Sequence, residues 1–247
     1  MKKDGIRTRN LYDPQSAEPY RLSRSKIELF LKCPRCFYLD RRLGINRPDG
    51  PPFTLNSAVD TLLKKEFDLH RAKGQAHPLM TAYGIDAVPF IHPDLAVWRD
   101  NFKGIEHHHA ETGFVVTGAI DDVWKTKGDE LIVVDYKATS TQKEISLEDD
   151  WRQSYKRQLE IYQWLMRKNG YKVSDTGYFV YVNASKDKEA FDRTLEFSVQ
   201  LLPYRGTSAW VDEALQEIHL CLHRTSPPPA HPECEWCAYT MAVSKVG

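Results

Sequence analysis

Two Cys-x-x-Cys pairs, Cys33-Pro-Arg-Cys36 and Cys234-Glu-Trp-Cys237, stand near opposite ends of a chain of 247 residues. Each pair offers a metal two of the four thiolates that a tetrahedral zinc ion or a cuboidal iron–sulfur cluster takes. One centre shared by both pairs would clip the segment around Cys234 onto the opening helix, and the loop so closed contains almost everything else. Four reduced, unliganded thiols are the alternative. Cys221 is the fifth cysteine; it falls on the apolar side of a helical stretch and reads as a buried thiol. The metal reading presumes a reducing compartment. The opening Met1-Lys-Lys-Asp-Gly-Ile-Arg has no apolar stretch behind it, so no secretory signal is expected. No uncharged apolar run approaches the length of about 18 residues that a membrane span needs. A cytoplasmic protein is the expectation.

Composition narrows the class without choosing a function. An apolar content of 41% and a charged content of 28% suit a globular domain and argue against wholesale disorder. The 34 Lys+Arg balance the 34 Asp+Glu, yet residues 1–47 hold 12 of the former and five of the latter, a net of +7 that leaves −7 for residues 48–247. A basic lead segment can follow a phosphate backbone while an acidic remainder holds cations; both can equally be solvated surface. Residues 1–22 read as an extended basic lead-in, and 23–247 as a single domain large enough to bury a core.

Periodicity places the elements. Ser25-Lys-Ile-Glu28 has the form of a capping box opening a short helix that Pro34 stops or bends. After a proline-rich connection at 47–53, Leu55, Val59, Leu62 and Phe67 lie near helical spacing, with Lys64, Lys65 and Asp68 on the wet side. Residues 113–124 and 131–137 read as a hairpin. Trp151, Tyr155, Leu159, Tyr162 and Met166 form one helical stripe ending at Gly170. Residues 176–182 and 193–199 read as strands, and Ser208 caps a helix striped by Val211, Leu215, Ile218 and Leu222. His107-His-His109 reads as a solvated strand or loop, and Asp149-Asp150 as partners of a helix dipole. The order is mixed α/β around one sheet.

The chemistry concentrates in the hairpin. Gly118-Ala-Ile-Asp121 ends in a carboxylate midway along its first strand, and Leu131-Ile-Val-Val134 runs into Asp135-Tyr-Lys137 on its second. Side chains alternate along a strand, so Asp135 and Lys137 share a face that Asp121 can meet across the pair. Two carboxylates and a lysine at one sheet edge suit a hard divalent cation and a polarised water, a set matched to phosphodiester hydrolysis. Gln158 and Tyr162, four apart, share one face of the following helix.

Gly118…Asp121, Asp135…Lys137 and Gln158…Tyr162 together resemble the PD-(D/E)xK nuclease superfamily, in the branch similar to RecB nuclease domains and CRISPR-associated adaptation nucleases. Residues 25–38 resemble that family's opening helix with its Cys-Pro-x-x-Phe-Tyr segment, and Cys234-x-x-Cys237-x-Tyr239 its closing cysteine motif. The resemblance covers residues 23–42, 114–165 and 225–239. It implies a restriction-endonuclease-like mixed sheet flanked by helices, with both ends of the domain joined at a cysteine metal site. It implies Mg²⁺ or Mn²⁺ on Asp121, Asp135 and the Tyr136 carbonyl, with Lys137 handling water and Gln158 and Tyr162 positioning it. Where the family has a metal-binding His, this chain has Asp60, which reads either as a third ligand or as an i,i+4 partner of Lys64. The branch's 4Fe-4S cluster uses one N-terminal and three C-terminal cysteines; here the division is two and two, with an iron–sulfur cluster the first expectation and Zn²⁺ the second. The function so implied is DNA cleavage, exonucleolytic or single-strand-specific, in repair, recombination or spacer acquisition alongside proteins of those pathways. A non-cutting nucleic-acid-binding module or an interaction subunit of a repair complex is the alternative.

Overall fold

The computed structural model describes every residue except Met1, Asp4, Gly5, Asp49, Pro51, Pro52, Asp150, Trp151 and Gly247. The chain opens with strands β1 (Lys2–Lys3), β2 (Ile6–Arg7) and β3 (Tyr20–Ser23), then helices α1 (Arg24–Lys32), α2 (Pro34–Arg42) and α3 (Thr54–Lys73). Next come α4 (Pro78–Ala82), β4 (Ala87–Pro89), α5 (Leu95–Trp98), β5 (Ile105–His109), β6 (Phe114–Gly118), β7 (Asp122–Thr126) and β8 (Leu131–Thr139). Helix α6 (Gln153–Lys168), strands β9 (Thr176–Ala184) and β10 (Phe197–Arg205), and helices α7 (Trp210–Leu222) and α8 (Glu235–Val243) follow. The class is the expected mixed α/β, but in place of one sheet the strands form two mixed sheets flanked by helices, with β1 and β2 as a separate pair. No helix among the described residues is long and apolar enough to cross a membrane.

The chain divides into two compact units. The larger, Pro52–Ile105 with Gly118–Ser208, is built on a five-stranded sheet of order β10-β9-β8-β7-β4. β8 is central and is buried from Leu131 to Tyr136, as a β-branched run covered on both faces must be. β8 and β9 are parallel, whereas β7–β8, β9–β10 and β4–β7 are antiparallel. A parallel pair needs a long crossover, and α6 lies within it. That helix is buried without a break from Gln158 to Met166, so its apolar stripe is only part of what it covers. Phe67, Met80, Trp124, Val134, Val180 and Leu201 share one apolar core.

The smaller unit gathers Met1–Pro51, Glu106–Thr117 and Ala209–Gly247. Its sheet has the order β3-β6-β5, with β3 and β6 parallel, and it also contains α1, α2, α7 and α8. Leu22, Ile27, Phe37, Phe114, Val211 and Leu215 are fully buried within it. Asp40, also buried, is met by Arg7, Lys26 and Arg41.

Several local expectations change. The run 113–124 is not one strand: β6 ends at Gly118, β7 begins at Asp122, and the two belong to different sheets. At the break the packing is close: a Cβ on Gly118 would lie 2.7 Å from Tyr162 Cε1 and 3.0 Å from Leu165 Cδ1. α1 begins at Arg24 after Ser23, with no side-chain cap bond, so Ser25 and Glu28 make no capping box. Pro34 does stop it, and then opens α2 at a position where its missing N–H costs nothing. α3 buries Leu63 and Phe67, while Leu55 and Leu62 are exposed. The strand expected at 193–199 begins at Phe197, because Asp192 and Arg193 adopt positive φ in the connection before it. Ser208 accepts from Arg167 at 2.9 Å and does not cap α7, whose N-cap is Ala209. His109 is buried rather than solvated, 2.9 Å from Thr112 Oγ1 and 3.4 Å from Asp212. Trp151 and Asp150 lie outside the described residues.

Candidate active site

The β7–β8 register pairs Asp122 with Val134, so Asp121 stands one step beyond the last paired residue, at the level of Asp135. It precedes its strand rather than sitting midway along one. Its Oδ2 accepts from the Tyr136 amide at 3.0 Å, which fixes the carboxylate against the neighbouring strand. Arg99 Nε donates to the Asp121 carbonyl at 2.9 Å. Both contacts hold the turn that the chain makes as it enters β7.

A cavity of about 360 Å³ opens here, and Asp60, Lys64, Asp121, Tyr136, Lys137 and Tyr155 are among its lining residues. Lys64 Nζ lies 2.8 Å from Asp60 Oδ2 and 3.1 Å from Asp121 Oδ1. Both expectations for Asp60 therefore meet in one place: it pairs with Lys64, and it faces Asp121 across the same ammonium. Burial and then the Asp121 charge raise the Asp60 pKa. Burial opposes the Lys64 charge, but Asp121 and Asp60 outweigh it and raise its pKa. Two half-buried carboxylates that converge on one cation are a donor set of the hard, oxygen type that Mg²⁺ and Mn²⁺ take. By that test the residues fit a divalent ion.

Asp135 is fully buried and does not line the cavity. Its Oδ1 accepts from Gln158 Nε2 at 2.8 Å, and its Oδ2 is paired with Lys137 Nζ. Gln158 also donates to Tyr162 OH at 3.0 Å, and Lys137 Nζ reaches Gln158 Oε1 at 3.5 Å. Asp135, Lys137, Gln158 and Tyr162 thus form one hydrogen-bonded cluster, and Lys137 joins it to the cavity wall. Among the described residues, Asp60, Asp121 and Asp135 do not form a trio with oxygens within 4.8 Å of one another. Lys137 also lies 4.6 Å from the centroid of the Tyr155 ring. Burial disfavours its charge, but Asp135 and Asp121 outweigh burial and raise its pKa. It is an ammonium, a donor of hydrogen bonds rather than an acceptor of protons.

Sequence reasoning missed four contributors: Lys64, Asp122, Arg71 and Arg99. The pairing of Lys64 with Asp60 is legible from their i,i+4 spacing, but its contact with Asp121 is not. Asp122 looks like a second copy of Asp121 in the sequence, yet it is fully buried. It meets Arg71 and Arg99 and accepts from Tyr136 OH at 2.7 Å. Arg71 and Arg99 in turn share Asp68. No linear signal marks that network, because its members come from α3, α5–β5, β7 and β8.

In the smaller unit the four cysteines come together. Cys33, Cys36, Cys234 and Cys237 are buried, with all four sulfurs within 4.8 Å of one another. Cys221 is also buried but lies outside this cluster, and burial pushes its thiol up to about 11.

The family model of the PD-(D/E)XK nuclease superfamily matches residues 56–242. No curated protein matches the sequence. Among solved structures, that of SSO0001 aligns at 17% identity with a TM-score of 0.36, covering 92% of this chain and 87% of that chain.

Proposed function

The chain belongs to the PD-(D/E)XK nuclease superfamily, and from that premise we propose that it is a Mg²⁺- or Mn²⁺-dependent nuclease of the RecB-like branch. Its substrate in this reading is DNA, single-stranded or with ends, in repair, recombination or spacer acquisition. The observation that carries the reading is the single cavity into which Asp60, Asp121 and Lys137 all project, with Lys137 bound to Asp135 two residues before it.

In this mechanism Asp60 and Asp121 would hold the ion from the cavity wall with the Tyr136 carbonyl beside them, and Asp135 would join the set only by releasing its pairing with Lys137. The bound metal supplies Lewis-acid stabilisation of phosphate charge and a water of lowered pKa. Lys137 Nζ, held beside Asp135, would handle the attacking water and offset charge developing on the phosphate. Gln158 holds Asp135 with one amide hydrogen and Tyr162 with the other, which keeps the carboxylate and Lys137 in one register. Lys64 lies between Asp60 and Asp121, so an ion held there would displace its ammonium and leave it available to a phosphate.

Labelled single- and double-stranded DNA incubated with purified protein tests the reading. Cleavage that needs Mg²⁺ or Mn²⁺, stops with chelator and is absent in Asp135→Asn is the expected result. Gel-shift binding without cutting under every metal condition would instead select a binding module with the same fold.

A further inference from the structure

The cysteine cluster can be read further than its composition, because its sulfur spacing distinguishes two kinds of centre. Cys33 Sγ lies 3.8 Å from Cys237 Sγ, and Cys36 Sγ lies 3.6 Å from Cys234 Sγ and 3.5 Å from Cys237 Sγ. Four thiolates around one zinc ion, each at a Zn–S distance of about 2.3 Å, form a tetrahedron with edges of about 3.8 Å. A cubane places a separate iron under each thiolate, and its iron and sulfide atoms lie between the ligands. Its ligand sulfurs therefore stand well apart, beyond the 4.8 Å that contains all four here.

The surroundings are those of a compact, closed centre. Cys33 is the N-cap of α2 and Cys36 lies in its first turn; Cys234 is the N-cap of α8 and Cys237 lies in its first turn. Both pairs thus present thiolates at the positive ends of nine-residue helices, which favours negative sulfur. Arg47 Nη2 lies 3.2 Å from Cys234 Sγ and offsets part of the charge that four thiolates leave on a divalent ion. No substrate-sized path to the sulfurs is needed for such a site, since a structural zinc keeps no open position.

We propose that Cys33, Cys36, Cys234 and Cys237 bind one Zn²⁺ ion in a tetrahedral site, in place of a 4Fe-4S cluster. Zinc is favoured over mononuclear iron because Zn²⁺ binds a given site more tightly than Fe²⁺. The proposal stands on the smaller unit alone and does not rest on the nuclease reading.

The test is elemental and spectroscopic. Full-length protein purified anaerobically from cells supplied with both iron and zinc should contain one zinc per chain. It should have no acid-labile sulfide and no visible absorption. Zinc-edge X-ray absorption should show four sulfur neighbours at about 2.3 Å. Cys221→Ser should retain the full zinc content, and Cys36→Ser or Cys234→Ser should lose it. Since those two variants can fail to fold, the wild-type chain offers a second measurement. One equivalent of Co²⁺ added after chelation should produce the intense visible bands of a tetrahedral thiolate site. Brown protein with four irons and four sulfides per chain would overturn the proposal. So would one iron per chain, nitrogen or oxygen neighbours around the zinc, or protein holding no metal.

Discussion

Asp122→Asn probes how much the buried charge beneath the cavity contributes. Asp122 is fully buried and meets four donors: Arg71 Nη2, Arg99 Nη2 at 3.1 Å, Tyr136 OH at 2.7 Å and the Val123 amide at 2.8 Å. The amide keeps one acceptor oxygen but removes the charge that faces two guanidinium groups. It also sets an NH₂ where the other carboxylate oxygen was. Breaking a buried ion pair from one side costs about 3–5 kcal/mol. Asp68, half exposed, still faces Arg71 at 3.0 Å and Arg99 at 2.8 Å, which puts the expected loss at the lower end, about 3 kcal/mol. In a chain of this size that is a fall in melting temperature of roughly 6–12 °C. Asp68→Asn, acting on the same two arginines from an exposed position, should cost less than about 1 kcal/mol. Urea unfolding followed by tryptophan fluorescence measures both, because Trp124 is fully buried in the same unit. Equal losses for the two variants, or a loss under about 1 kcal/mol for Asp122→Asn, would refute the argument that burial sets the cost.

Four further outcomes are expected. Lys137→Ala should eliminate cleavage at saturating Mg²⁺ or Mn²⁺ while circular dichroism still reports a folded chain; wild-type rates would remove Lys137 from the chemistry. Asp60→Asn should raise the metal concentration for half-maximal cleavage, since it takes a negative charge from the pair facing Lys64; an unchanged metal titration would make Asp60 a partner of Lys64 only. Gly118→Ala should destabilise by about 1–3 kcal/mol through overpacking against Tyr162, and shortening the ring with Tyr162→Leu in the same chain should recover part of the loss. Asp40 is buried, which alone would raise its pKa, but Arg41 and Lys26 outweigh burial and lower it. Its stabilisation is therefore complete above the unfolded carboxylate value near pH ~4 and is lost as pH falls through the lower folded value. Wild type should hold an advantage over Asp40→Asn in urea at pH 6 that shrinks steadily in more acidic buffers.

Much of the fold could be read from the chain because its strongest signals are local. Leu131-Ile-Val-Val134 had to be a covered strand, and the 159–166 stripe had to be a helix. The two Cys-x-x-Cys pairs meet because four thiolates buried together satisfy a requirement that neither pair meets alone. What escaped was set by contacts between distant segments. Nothing within 113–124 announces that its two halves join different sheets, or that Tyr162 fills the space a Cβ on Gly118 would need. Lys64 fits a solvent-facing pattern until Asp121 arrives from a different element. Asp121 and Asp122 are chemically identical neighbours, and only the placement of Arg71 and Arg99 separates the one at the cavity from the one beneath it. Sulfur spacing, likewise, is a property of space that residue spacing does not carry.

The smaller unit is drawn from three stretches of chain, 1–51, 106–117 and 209–247, whereas the larger is complete once residue 208 has been made. During synthesis the opening helices are therefore made well before the 209–247 stretch that completes their unit. Cys33 and Cys36 wait for Cys234 and Cys237 through some two hundred further residues, roughly 10–40 s at ordinary rates of translation. Until then the first pair lacks the two sulfurs that complete the cluster. All of the larger unit is made within that interval, so the stretch carrying Cys33 and Cys36 is made before the larger unit and has its partners only after it.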